Sequence, residues 1–104
     1  MSEMGDGIRI DVWLWQARQF KTRSLATAIV QKGRLRITSG GQTRKINKPS
    51  TLVRAGDILT LPRNGGIVRL EIRALGTRRG PASEAQALYR LVDDTQSAES
   101  TTHA

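Results

Sequence analysis

The sequence predicts an α+β domain in which two N-terminal helices pack on a small antiparallel β-sheet, closed by a short C-terminal helix. Three observations lead there. Apolar residues recur at helical spacing from Ile10 to Val30, the pattern switches at Leu35 to strict alternation, and Gly-containing turns then separate several short apolar runs. At 104 residues the chain has the length of one domain, with little room for a second.

The elements follow in order. Residues 1–8 are Gly-rich and without periodicity, which reads as a loose start. The first helix is expected to open at Asp11, a residue type that caps helices with its side-chain oxygen. Ile10, Trp13, Leu14, Ala17 and Phe20 form its buried face. Val12 and Trp15 fall off that stripe; a Trp placed so packs at an edge or offers its ring to a base. Lys21-Thr22-Arg23-Ser24 then breaks the apolar pattern and supplies two hydroxyls able to cap a second helix. That helix is expected to end near Lys32, with Gly33 taking the left-handed conformation that terminates helices. At roughly 100° per residue, Leu25, Ala26, Ile29 and Val30 fall on one side and Arg23, Ser24, Thr27 and Gln31 on the other. The second helix therefore packs on the first and turns a polar, basic-edged face outward.

Leu35 and Ile37 alternate with Arg34 and Arg36, the pattern of a half-buried strand with a cationic outer side. Ser39-Gly40-Gly41 is a turn into a partner strand over Thr43–Ile46. Pro49 demotes the next segment to a loop or an edge. Gly56-Asp57 turns into a short strand, Ile58–Leu61, and Pro62–Gly66 reads as a hairpin loop. Ile67–Leu75 is expected to be the longest strand, with Val68, Leu70 and Ile72 on one face. A second basic loop, Gly76–Gly80, holds Arg78 and Arg79. Ser83-Glu84-Ala85-Gln86 has capping-box spacing, and Ala85, Leu88, Tyr89 and Val92 make the apolar stripe of a final half-helix. The last stretch, 93–104, is acidic and rich in Ser and Thr, and disorder is expected there.

Charge narrows the function. Lys and Arg number 17 against 9 acids, for a net charge of +8. From Arg9 to Lys48 there are ten basic residues and a single acid, Asp11, a block of +9 that repels itself unless a polyanion lies against it. Thirteen of the 17 are Arg, whose planar fork pairs phosphate oxygens bidentately and stacks on bases. No apolar run approaches the ~20 residues of a membrane span, and no leader for export is evident. With no Cys there is neither a disulfide framework nor a thiolate metal site. A cytoplasmic location fits these features.

Catalysis finds no support. The single histidine, His103, lies in the polar tail, where nothing holds it within reach of a substrate proton. No two acids of the body fall at a helical spacing that would pair them. Neither Gly40-Gly41 nor Gly65-Gly66 belongs to a phosphate-loop pattern, and no metal-ligand constellation or cofactor motif is present. The expectation is no enzyme, no cofactor, no metal and no small-molecule substrate.

Binding is the reading that remains. If the basic strand folds back over the helices, Lys21, Arg23, Arg44, Lys45 and Lys48 meet on one cationic surface. Thr22, Ser24, Thr27 and Gln31 would add neutral hydrogen bonds to phosphate or ribose. Such a surface binds nucleic-acid backbone with an affinity that falls steeply with salt. Only four aromatic residues are present, which disfavours a single-strand stacking platform and favours folded or double-helical RNA.

The residues also resemble a known module. Arg9-Ile10-Asp11, Leu14, Thr22-Arg23-Ser24 with Ala26, Ile29 and Gly33, then Lys48-Pro49 and Gly56-Asp57, are similar to the S4 RNA-binding domain. Asp11-Val12-Trp13-Leu14-Trp15 with Lys21-Thr22-Arg23, and Arg78-Arg79-Gly80-Pro81-Ala82-Ser83-Glu84-Ala85 with Leu88-Tyr89, narrow the resemblance to the heat-shock protein 15 family of stand-alone S4 proteins. It covers about residues 8–92. It implies an S4-type "αL" unit of helix, helix and strand with a small antiparallel sheet. It also implies binding to rRNA, and to tRNA, on the large (50S) ribosomal subunit in rescue or recycling of stalled translation; the chain itself is expected to be a monomer. Carried over by motif position, the implied RNA contacts are Arg9, Lys21, Thr22, Arg23, Ser24, Thr27, Gln31, Lys32, Arg44, Lys45 and Lys48. The organisation expected is a flexible 1–8, an S4-like domain over 9–75, a basic loop and packed segment over 76–92, and an acidic tail over 93–104. The family's usual Val-Asn-Gly turn is replaced here by Ile37-Thr38-Ser39-Gly40-Gly41, and its basic C-terminal extension by the short acidic end.

Two other classes stay open at the level of sequence. One is a DNA-binding regulator using the first two helices as a helix-turn-helix, with Arg23 aimed at base edges. The other is a ribosome-assembly factor, which charge alone does not separate from a rescue factor.

Overall fold

The computed structural model describes residues 7–63 and 65–92 of the chain. The expected tail over 93–104, His103 within it, and nearly all of the loose start lie outside the described residues. The elements in chain order are β1 (Ile8–Arg9), α1 (Ile10–Gln16), α2 (Arg23–Gln31), β2 (Leu35–Ser39), β3 (Gln42–Ile46), β4 (Leu52–Val53), β5 (Ile58–Arg63), β6 (Gly66–Ile72), α3 (Ala82–Gln86) and β7 (Tyr89–Leu91). Five strands form one antiparallel sheet in the order β3-β2-β5-β6-β7, and β1 pairs with β4 in a separate two-stranded ribbon. This is the α+β arrangement of helices on an antiparallel sheet that the sequence predicts.

One core joins helices and sheet. Ile10, Trp13, Leu14 and Ala17 from the first helical segment meet Ala26 and Val30 of α2. They pack over the inner-face residues Leu35, Ile37, Leu59, Leu61, Leu70 and Ile72. The helical stripe and the strand alternation thus find each other as period 3.6 and period 2 require. Thr22 caps α2, its Oγ1 accepting from the Leu25 amide at 3.1 Å. Gly33 follows the helix at φ +72°, a left-handed conformation that costs glycine nothing. Gly40 and Gly41, at φ +60° and +83°, form a two-residue turn that joins Ser39 to Gln42 as the first paired residues of the hairpin.

Several elements differ from expectation. α1 begins at Ile10 with Arg9 at the capping position, so Asp11 is not a cap but a buried residue of the first turn. Leu25, on the apolar side of α2, is 51% exposed, because α1 covers only the neighbouring strip of Ala26 and Val30. β5 continues through Pro62 and Arg63, beyond the predicted end. Its pairing with β2 stops at Thr60, so Pro62 sits where no partner on that side needs its missing N–H. β6 stops at Ile72 rather than Leu75. The final half-helix shrinks to α3, and Tyr89–Leu91 instead adds a fifth strand against β6. Ile8, placed in the loose start by its context, pairs with Val53.

Candidate nucleic-acid interface

The single acid in the basic block organises the site. Asp11 is 1% exposed, and Arg9 grips its carboxylate bidentately, Nε to Oδ1 and Nη2 to Oδ2, both at 3.1 Å. The Thr27 hydroxyl of α2 lies 2.9 Å from Oδ2 and 3.0 Å from the Arg23 carbonyl, so its one proton is shared between them. Arg23 Nε approaches the same oxygen at 3.7 Å. Burial alone would raise the Asp11 pKa. The hydrogen bonds from Arg9 and Thr27, with the charges of Arg9 and Arg23, outweigh it and hold the carboxyl below its ordinary value. An ionised carboxylate thus ties the start of α1 to α2 and sets two guanidinium groups side by side. Arg9 and Arg23 each keep about half of their side-chain surface in solvent, at 45% and 49%.

The loop between β3 and β4 closes the site from above. Its carbonyls at Thr51 and Pro49 accept from the Ile10 and Asp11 amides, at 2.8 and 3.4 Å. These amides are among the donors that a helix start leaves unpaired. The same contacts bring Lys48, exposed on that loop, to the Arg9 end of α1. On the outer side of α2, Arg23, Ser24, Thr27, Ala28 and Gln31 line a shallow hollow. Lys21 and Lys32 stand exposed at the two ends of the helix.

The structure brings together Arg9, Arg23, Ser24, Thr27, Gln31 and Lys48 on or beside one face. Thr22 and Thr27 carry structural duties as well, the one as a cap and the other as a bridge to Asp11. The sheet register separates the remaining pair. Arg44 lies opposite Ile37, on the helix-facing side, whereas Lys45 lies opposite Arg36 on the far side. Lys45 therefore joins Arg34, Arg36 and Arg63 around a different groove.

Sequence reasoning missed the duty of Asp11, whose partners Thr27 and Arg23 are 16 and 12 positions away. It also missed the brace behind α1. Trp13 Nε1 donates to the Ala74 carbonyl at 3.0 Å, and its ring meets Tyr89 edge-on with centroids 6.5 Å apart. Arg18 Nε donates to the Gly80 carbonyl at 2.8 Å, and Arg79 Nε to the Trp15 carbonyl at 3.1 Å. The Arg79 guanidinium also sits over the Trp15 ring, 5.8 Å from its centroid, so that ring has a partner within the chain. Among the described residues there is no cluster of His, Cys, Asp or Glu that would hold a metal, and no helix long and apolar enough to cross a membrane.

Comparison with known proteins places this geometry. The S4 domain family model matches residues 8–59, the stretch that contains the Asp11 cluster with α1 and α2. The heat shock protein 15 homolog of Haemophilus influenzae is 37% identical over 88 residues, which cover 85% of this chain and 63% of that protein. Heat shock protein 15 of Escherichia coli K12 is 38% identical over 82 residues, or 79% of this chain and 58% of its own length. The chain thus spans about three-fifths of the curated relatives that it matches. A solved structure of Vibrio cholerae heat shock protein 15, described as trimeric, superposes with a TM-score of 0.75 at 34% identity and covers 92% of both chains.

That trimer overturns the expectation of a monomer. Net charge and element pattern carry no information on subunit number. Apolar residues left on the surface do bear on it, and Leu25, Leu52, Ile67 and Leu91 are between 47% and 68% exposed here.

Proposed function

This chain belongs to the heat shock protein 15 family and carries an S4 domain, and from that premise we propose that it is a non-catalytic RNA-binding protein of the cytoplasm. Its target in this reading is rRNA, with tRNA as a further contact, on the large ribosomal subunit during rescue or recycling of stalled translation. The observation that carries the reading is the Asp11 cluster. A buried carboxylate holds two half-exposed arginines at fixed spacing beside Lys48, an arrangement suited to phosphates at defined positions on a folded RNA.

Arg9, Lys21, Arg23, Ser24, Thr27, Gln31, Lys32 and Lys48 are the proposed contacts on this face, with Thr22 and Arg44 beside it and Lys45 on the far side of the sheet. Residues 76–92 act in this proposal as a support that packs against α1, and 9–75 as the binding domain. Co-sedimentation with 30S, 50S and 70S particles at low and moderate salt tests the reading. Selective, salt-sensitive migration with free 50S is the expected result. Absence from every ribosomal fraction, together with tight binding to duplex DNA, would overturn it in favour of a regulator.

A further inference from the structure

The far face of the sheet carries a second set of cations that the Asp11 cluster does not use. The register aligns Lys45, Arg36, Thr60 and Arg69 in one row across β3, β2, β5 and β6, on the side away from the core. Arg36 and Lys45 stand directly opposite each other. Like charges so placed destabilise a sheet unless something of opposite sign lies against them. At the end of this row the strands open into a groove of about 590 Å³, whose charged walls are Arg34, Arg36, Lys45 and Arg63. Ile29 closes it from α2 and the β5–β6 hairpin closes it from the other side.

Among the described residues no acid pairs with Arg34, Arg36 or Lys45. The described acids are four, and each is engaged elsewhere. Asp11 is held by Arg9 and Thr27, and Asp57 accepts from Ser39 Oγ and the Arg54 amide at 2.9 and 3.0 Å. Glu71 pairs with Arg90 and Glu84 with Arg78. Among the described residues, Arg34, Arg36 and Lys45 have no ion-pair partner, while Arg63 gives one N–H to Gln19 Oε1 at 2.8 Å. Gly33, Gly65 and Gly66 line the same groove, so the backbone there lies open to close approach by a ligand.

The groove is also separate from the α2 hollow. Ile29 is two positions from both Thr27 and Gln31, roughly 200° around the helix. A ligand on the Thr27 side therefore does not reach the Ile29 side without passing around α2.

We infer that this groove is a second RNA-backbone site, which takes a phosphodiester segment other than the one on the Asp11 face. The inference rests on the RNA-binding reading and extends it: the domain bridges two RNA segments from opposite sides of α2. Guanidinium groups suit phosphate oxygens, and Ile29, Pro62 and Ile67 give the groove an apolar floor against which ribose can lie.

The test is salt-dependent anisotropy of a short fluorescein-labelled RNA duplex with the full chain and three variants. These are the double variant Arg34→Ala with Arg36→Ala, the single variant Arg23→Ala, and a control with Arg54→Ala and Arg73→Ala. All five positions are exposed, so folding is expected to survive, and far-UV CD with a melting curve checks it. The groove variant should lose about two units of log–log salt slope and the Arg23 variant about one, since each lost phosphate contact removes about one. At saturation the groove variant should also bind fewer duplexes per protomer. Full binding by the groove variant with weakened binding by Arg23→Ala would overturn the second site and leave the first. An equal loss in the control would overturn it too, as the mark of diffuse charge. Unchanged binding in all three would remove both surfaces, and no binding by the unaltered chain would remove the RNA reading itself.

Discussion

Asp11→Asn separates two physical accounts of the interface because they predict opposite signs. The substitution removes the one negative charge between Arg9 and Lys48, taking that block from +9 to +10. If affinity follows charge alone, the variant binds RNA more tightly and its salt slope steepens. The geometry argues the reverse. The carboxylate fixes Arg9 through two bonds at 3.1 Å, draws in Arg23 at 3.7 Å and accepts from Thr27 at 2.9 Å. An amide of the same shape offers one acceptor and turns an NH2 toward donors that already carry hydrogens. Ordering a freed, rotamer-rich side chain at an interface costs ~0.5–1.5 kcal/mol. With two arginines affected, affinity should fall roughly tenfold. The assay is anisotropy titration of a short RNA duplex at several salt concentrations, at a temperature well below the melting point of both proteins. A variant that binds as tightly as the wild type, or more tightly, would refute the positioning role of Asp11.

Other expectations follow from the same contacts. Arg23→Ala and Lys48→Ala should each flatten the salt slope of RNA binding by about one unit; unchanged slopes in both would remove the Asp11 face from the interface. Leu14→Ala should cost roughly 2–5 kcal/mol of stability, measured by urea denaturation, because Leu14 is fully buried between the helices and the sheet. Trp13→Phe keeps most of the ring but orphans the Ala74 carbonyl, so a loss of about 1–3 kcal/mol is expected in the same assay. The pH dependence has a definite sign. Asp11 has a folded pKa below its unfolded value, so its stabilisation is complete above the unfolded pKa of ~3.9 and fades as pH falls through the lowered folded value. The melting-temperature gap between wild type and Asp11→Asn should therefore stay flat above about pH 5 and narrow below about pH 4. A gap that widens on acidification would contradict that.

Local signals in the sequence were legible and non-local ones were not. Ile10, Trp13, Leu14 and Ala17 declared a buried stripe through spacing alone. Gly33 and the Gly40-Gly41 pair declared their turns because positive φ favours glycine. The alternation of Arg34, Leu35, Arg36 and Ile37 already announced a cationic outer side. By contrast, Ala85, Leu88, Tyr89 and Val92 fit a helical stripe, and only a free edge on β6 makes Tyr89–Leu91 a strand. Arg44 and Lys45 read as parts of one cationic surface, yet adjacent strand residues point to opposite faces, and the hairpin register decides which is which. Asp11 had the composition of a cap. Its duty depends on Thr27 and Arg23 arriving from another helix, which no window around Asp11 contains.

The division between what binds and what supports has a physical cause in helix length. α1 has seven residues and α2 nine, both shorter than the ~12–15 that an isolated helix needs to persist in water. A site on such helices holds its geometry only if tertiary contacts clamp them. At the N-terminal end of α1 the clamp is the Lys48–Thr51 loop, which accepts its free amides. At the other end it comes from beyond residue 59, where the S4 match stops. There Ala74 accepts from Trp13, Gly80 from Arg18, and Arg79 donates to Trp15 while covering its ring. Arg18 takes φ +59°, a left-handed conformation that costs a non-glycine residue roughly 1–2 kcal/mol. A chain keeps such a residue where its surroundings over-determine it, and the Gly80 bond supplies that constraint. The 73–91 segment therefore fixes the helix on which Asp11 stands, and in the proposed reading it supports the interface from behind.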